Sequence, residues 1–355
     1  MKKVILMLPA LVLALGLASC KPSEFEELEG SRTITDQGGT EVAIQGKVER
    51  VVIYDMPLLA PTLVQFLGSS ERIVGMPLGA ISNNSVGKKV APNVENIANT
   101  YSLSTEDIIN LEPDLIFSSY LDTAKVAEFR TVGLTVVAMN AQSKGIDAIG
   151  TIADWIGIFE GIFGDNGRGD LINDYNKAQK DKIANKLKDV KDSEKQKVLY
   201  IPWFNGNAGS LWTSSNEYVA GYFAEQTKAI NVAANANVDV ALSVEEVINA
   251  NPDIIYLGSY PPSIGVEAFY ETDLAKTVLS EVNAVKNQSV YRIPGGAFNW
   301  FMPTSAEIGL SLVYQAKCQY SELLSDVDMT QEVKDYYSKF YNAELTSEDL
   351  SIIFK

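Results

Sequence analysis

Ser104-Thr105-Glu106-Asp107-Ile108-Ile109-Asn110-Leu111-Glu112-Pro113-Asp114-Leu115-Ile116 returns 139 residues later as Ser243-Val244-Glu245-Glu246-Val247-Ile248-Asn249-Ala250-Asn251-Pro252-Asp253-Ile254-Ile255. Ser, Glu, Ile, Asn, Pro, Asp and the final Ile coincide without a gap. In each copy the Ser reads as a helix N-cap, and the acid three residues on completes a capping box. Pro closes the helix, and an apolar, β-branched run (115–117, 254–257) enters a buried strand. One copy is an ordinary helix–turn–strand. Two copies, each deep in its own half, describe a chain of duplicated lobes.

The segments around the repeat extend this reading. Val51-Val52-Ile53-Tyr54 is a strand followed by an apolar-periodic helix (Leu59, Leu63, Phe66, Leu67) and Gly68, and Val198-Leu199-Tyr200-Ile201 opens the second half likewise. Residues 134–139 form another short apolar run. Strands alternating with helices give an α/β fold of mainly parallel sheets. Between the halves, Ile149, Ile152, Ile156, Phe159 and Phe163 make a helical stripe. After a break at Gly164-Asp165-Asn166-Gly167, residues 170 to about 190 read as a long charged helix with Leu171, Tyr175, Ala178 and Leu187 inward. At 1.5 Å per residue it is roughly 30 Å long, enough to join two lobes rigidly.

The 355 residues, 46% hydrophobic and 21% charged, suit about two globular domains. A net charge of −16 argues against nucleic acid and against attraction to an anionic membrane surface. There is no His, which removes Ser–His and Cys–His couples and the familiar catalytic zinc sites. Two Cys supply neither a thiolate cluster nor a disulfide framework. The helix around Cys318 marks it as an inert buried thiol. No Gly-x-Ser-x-Gly, Gly-x-Gly-x-x-Gly or phosphate loop occurs, so no enzyme is expected and no cofactor is called for. A lipid-anchored, carboxylate-dependent enzyme remains the less favoured alternative.

Met1-Lys2-Lys3, an apolar stretch over residues 4–17 and Leu17-Ala18-Ser19-Cys20 describe a secretory signal peptide. The stretch is too short for a resident span. Leu-Ala-Ser-Cys resembles the bacterial lipobox, so Cys20 is expected to carry the lipid that holds the protein on a membrane. Residues 21–30 are a polar, acidic tether. The expected organisation is signal peptide 1–19, lipidated Cys and tether 20–32, N-terminal lobe 33–145, connecting helices 146–190 and C-terminal lobe 191–355.

Taken in order, these segments resemble the class III, helical-backbone substrate-binding lipoproteins of bacterial ABC importers. Thr35-Asp36-Gln37-Gly38-Gly39-Thr40-Glu41-Val42 is similar to the family's opening hairpin, with Thr40 where Arg is commoner. Arg50-Val51-Val52, Leu67-Gly68, Arg72-Ile73-Val74-Gly75, both Pro-Asp-(Leu/Ile)-Ile segments, Ala284-Val285-Lys286-Asn287 and Val290-Tyr291-Arg292-Ile293-Pro294 continue the pattern. The resemblance implies an extracytoplasmic, lipid-anchored monomer of two lobes bridged by one long helix. Cargo would bind between the lobes and pass to a permease dimer with its cytoplasmic ATPase. In this family the cargo is an iron–siderophore, haem, cobalamin, a metal ion or an oxyanion. Glu106 and Glu245 resemble the family's surface glutamates that pair with permease arginines. First-turn acids favoured by the helix dipole are the simpler explanation, although Asp107 and Glu246 already fill that role.

Clefts between domains, at the carboxyl ends of parallel strands, are the default ligand positions. That rule points to Tyr54-Asp55-Met56, Met76-Pro77-Leu78, Ser118-Ser119-Tyr120, Pro202-Trp203-Phe204-Asn205, Leu211-Trp212-Thr213, Gly258-Ser259-Tyr260 and Gly295-Gly296-Ala297-Phe298-Asn299-Trp300-Phe301. The expected ligand-binding residues are Tyr54, Asp55, Met56, Tyr120, Trp203, Phe204, Trp212, Tyr260, Phe298 and Trp300. Flat aromatics with few cations suit a bulky metal chelate, a small-molecule partner. The alternative is a free metal ion or an oxyanion such as molybdate. Asp55 is the isolated carboxylate available to a hard cation, and haem would need Tyr or Met as axial ligand. A polyanion would want an Arg in the cleft. Arg292 alone is well placed for that, with a strand-edge surface charge as the plainer reading.

Overall fold

The computed structural model describes residues 28–204, 211–234, 241–259, 265–302 and 304–354. A hairpin of β1 (Arg32–Thr35) and β2 (Glu41–Ile44) opens the described chain. Its turn is organised by Asp36, whose Oδ1 accepts from the Gly38 and Thr40 amides at 3.0 and 2.8 Å. Oδ2 accepts from the Ala138 amide and from Arg130, which pins the hairpin to the edge of the first lobe.

That lobe contains β3 (Val51–Ile53), α1 (Leu59–Leu67), β4 (Ile73–Met76), α2 (Ser85–Val90), β5 (Ala98–Asn99), α3 (Thr105–Asn110), β6 (Leu115–Ser119), α4 (Thr123–Thr131) and β7 (Val136–Met139). Its five strands are all parallel, in the order β5-β4-β3-β6-β7. Helices α5 (Ala148–Phe163) and α6 (Arg168–Lys186) follow. The second lobe holds β8 (Lys197–Phe204), β9 (Leu211–Trp212), α7 (Val219–Gln226), β10 (Ile230–Asn231), β11 (Ala241–Leu242), α8 (Val244–Ala250), β12 (Ile254–Ser259), α9 (Val266–Glu271), α10 (Asn283–Lys286) and β13 (Val290–Arg292). Its main sheet is parallel, in the order β10-β8-β12-β13. Helices α11 (Ile308–Gln319), α12 (Met329–Tyr341) and α13 (Ser347–Phe354) end the chain.

The order β4-β3-β6-β7 in one lobe is thus repeated as β10-β8-β12-β13 in the other. The duplicated sequence folds alike down to its joints. Ser104 and Ser243 each cap a helix through a full capping box with Asp107 and Glu246. Glu112 and Asn251 both end it in left-handed backbone, at φ 48° and 45°. The Asp114 and Asp253 amides then donate to the first strand of their lobe, to the carbonyls of Arg50 and Lys197, at 2.8 Å each.

Helix α6 is the long connector expected from the sequence, and it packs against α1 and α5 on one side and α7 and α11 on the other. Of the residues expected inward, Leu187 is fully buried and Leu171 and Tyr175 pack partly buried against the core, while Ala178 is exposed; Ile172, Asn176, Gln179 and Ile183 complete the buried face. Polar side chains enter this face because Gly309 of α11 lies against Tyr175, Asn176 and Gln179 and leaves them room. One apolar cluster runs through β3 and β6, α5, α7, β8 and α12, so the lobes share a continuous core. In α11 Cys318 is partly buried, and burial pushes its thiol up to about 12, which keeps it protonated and unreactive. The C-terminal segment reaches back to the first lobe, where Ser85 donates to Asp349 at 2.5 Å and Lys89 to the Glu344 carbonyl at 2.6 Å.

Candidate functional site: a cleft between the lobes

A cleft of about 470 Å³ opens between the lobes. The first lobe contributes Pro57, Leu78, residues 82–84 and Tyr101. The second contributes Gly258 and the segment 292–299 that leaves β13, and Ile352 of α13 closes one end. The parallel strands account for this placement, since loops leaving their carboxyl ends converge on one side of each sheet.

The floor segment is held from behind. Tyr337 accepts from the Ala297 amide at 2.7 Å and donates to Glu307 at 2.9 Å. Gly296 is required at this point: a Cβ there would lie 1.8 Å from the Tyr337 hydroxyl. Across the cleft, the Ser82 amide donates to the Ala297 carbonyl at 2.9 Å, tying the two lobes at the floor.

Arg292 supplies the charge. It ends β13, lines the cleft and is half-buried. Its Nε is buried without a hydrogen-bond partner, and no carboxylate among the described residues pairs with it. Burial lowers its pKa, yet a guanidinium remains charged. Asn83, Asn84 and the Tyr101 hydroxyl add neutral polar groups. Tyr101 is held above its ordinary value by desolvation and then by the Asp55 carboxylate. Asp55 itself accepts from the Ser119 amide at 2.7 Å and from Ser118 at 3.2 Å, but desolvation outweighs both bonds and raises it.

Of the aromatic residues expected to bind ligand, Phe298 is in the cleft wall. Several others are corrected by packing. Trp300 is fully buried, edge-on to Tyr314 and Phe354 at 6.4 and 6.3 Å, because the chain turns inward after Asn299. Phe204 is buried edge-on to Phe269 in the second lobe's core, and Met56 is buried beneath α1. Tyr54 stacks edge-on with Phe129 at 4.9 Å, with Lys125 over its ring, on the far side of the sheet from the main core. Tyr120 lines a separate groove beside Gly38 and Arg130. Trp212 is exposed on the two-stranded β9–β11 sheet and outside the cleft wall, and Asp55 stands behind Tyr101. The Trp203 side chain, Tyr260 and Cys20 lie outside the described residues. Arg292 is resolved in favour of the cleft. Sequence reasoning missed Tyr101 and the Asn83-Asn84 pair, whose only signal was their position shortly after strand ends.

Two similar α/β lobes, a long helical connector and a cleft with polar groups from both sides define a two-lobed solute-binding protein of the class III type. Residues 62–297 match the family described as periplasmic binding protein. The chain belongs to that family, which works outside the cytoplasm and is cognate to ABC permeases. It is 27% identical over 335 residues to the molybdate-binding protein MolA of Haemophilus influenzae, covering 87% of this chain and 91% of that protein. The crystal structure of MolA bound to molybdate aligns with a TM-score of 0.69 at 25% identity, over 89% of this chain and 99% of that one. A periplasmic solute binding protein from Veillonella parvula aligns with a TM-score of 0.78 at 23% identity, over 92% of this chain and 97% of that one. MolA is the cognate periplasmic binding protein of an ABC transporter.

Proposed function

We propose that this protein captures a small anion, an oxyanion of the molybdate kind, between its lobes and delivers it to an ABC permease. The observation that carries the reading is Arg292: a half-buried guanidinium in the cleft wall, with a buried Nε that has no partner. A buried charge without a counter-ion is costly, and an arriving anion removes that cost while gaining charge-assisted hydrogen bonds. In a chain of net charge −16 such a site must be local, since the overall field repels anions. The likeness to a molybdate-binding protein supports the same choice. Leu78, Phe298 and Met302 favour the second reading, an anionic metal chelate whose organic part would rest on that apolar wall.

Calorimetric titration of the wild type and Arg292→Ala with molybdate and tungstate, beside a ferric siderophore, haem and a corrinoid, tests the proposal. Saturable oxyanion binding at one site, weakened at least tenfold by the substitution, is expected. Binding of a chelate with no response to oxyanions overturns it.

Delivery completes the function. Glu106 and Glu245 would pair with cationic residues of the permease. Cys20 would carry the lipid that keeps the protein at the membrane, ahead of a tether and the lobes 33–145 and 191–355 joined through 146–190. The acting unit is a monomer, and the permease dimer is served by a cytoplasmic ATPase.

A further inference from the structure

Helix α3 extended by Leu111 and helix α8 agree at three of seven positions and differ at four. Glu106, Ile109 and Asn110 recur as Glu245, Ile248 and Asn249; Thr105, Asp107, Ile108 and Leu111 become Val244, Glu246, Val247 and Ala250. All six agreeing residues are exposed, whereas the buried position of each helix, Ile108 or Val247, differs. This inverts what packing alone produces, since burial restricts size and shape and a solvent-facing position tolerates most replacements.

Residues at i, i+3 and i+4 share one helix face, so each triplet is a single patch. Ile109 and Ile248 keep 41% and 42% of their surface exposed. Scattered exposed apolar residues need no explanation; the same residue at the same register beside the same carboxylate on both lobes does. The capping acids are already engaged by Ser104 and Ser243, while no ion pair engages Glu106 or Glu245 among the described residues. Each helix precedes the strand it feeds and runs back along the sheet, so its first turn lies toward the carboxyl ends of the strands, where the cleft opens.

We infer that Ile109 with Asn110 and Ile248 with Asn249 extend the two carboxylates proposed above for docking into one bipartite surface, read by a partner that is itself two-fold symmetric, the permease dimer. Each permease subunit offers the same socket: a cationic group for the Glu, an apolar wall for the Ile and a backbone or amide group for the Asn. The isoleucines add the desolvated part of the contact, which the carboxylates alone lack. This rests on the transport reading above but not on the identity of the cargo.

The test is binding of Ile109→Ser, Ile248→Ser and the double variant to the permease–ATPase complex in lipid nanodiscs, by biolayer interferometry. Molybdate affinity and melting temperature are measured on the same samples. Each single variant is expected to weaken docking about tenfold and by a similar factor, and the double about a hundredfold. Tenfold corresponds to about 1.4 kcal/mol. Melting temperature and cargo binding should not move. Wild-type docking by the double variant, or a loss traced to one isoleucine alone, overturns the symmetric surface. Docking losses in a protein that binds no oxyanion would sink the cargo proposal and leave this inference standing.

Discussion

Glu307 should make the protein less stable as pH rises through neutrality. It precedes α11 with 0% of its surface exposed. Tyr337 donates to it at 2.9 Å and Ser305 at 3.1 Å. Desolvation outweighs both bonds and pushes the carboxyl from 4.5 up to about 7. The tyrosines around it, Tyr336, Tyr337 and Tyr341, are all raised by burial and stay protonated. With a folded pKa above the unfolded one, the native state holds the proton more tightly. The stabilisation is therefore complete below the unfolded pKa, shrinks as pH climbs, and is gone above the folded pKa. At 1.36 kcal/mol per pKa unit the whole effect is about 3 kcal/mol, most of it between pH 5 and 8. A chain this long unfolds with an entropy of about 0.7 kcal/mol/K, so the shift is about 4 °C. Glu307→Gln keeps the shape and, with one accepting oxygen and one donating group, mimics the protonated carboxyl, but cannot titrate. Differential scanning calorimetry of both proteins from pH 5 to 8 should show the wild type losing about 3–4 °C relative to the variant. A gap between the two curves that stays constant over this range would refute the buried-carboxyl argument.

Asp36→Ala should cost about 2–3 kcal/mol, because it strands Arg130 and three backbone amides that now share one buried carboxylate; an unchanged urea midpoint would contradict this. Glu106→Ala with Glu245→Ala should reduce whole-cell uptake while cargo affinity and melting temperature hold, and the docking contact should weaken as salt rises. Normal uptake by the double variant would remove the docking role. Cys20→Ser should abolish metabolic labelling by a fatty acid, and labelling that persists would end the lipid-anchor reading.

The duplicated frame was legible because its signals are local. A Ser with an acid three residues on, a helix broken before Pro-Asp and a β-branched run each act through neighbours in the chain, and both copies fold as read. The connecting helix was equally legible as a helix, but only partly in its buried face, where the polar Asn176 and Gln179 depend on Gly309 of a helix more than a hundred residues away. The cleft was legible only as a set of loops. Within the segment 295–301 the sequence marks Phe298 and Trp300 alike, yet one lines the cleft and the other is sealed in the core. That choice is made by Tyr337 and Glu307, which pull Ala297 back, and by Tyr314 and Phe354, which receive the indole. The fate of Arg292 was undecided for the same reason. Chain periodicity sets which residues alternate along a strand, whereas solvent, cleft or core on either side is decided by what another part of the chain brings against it.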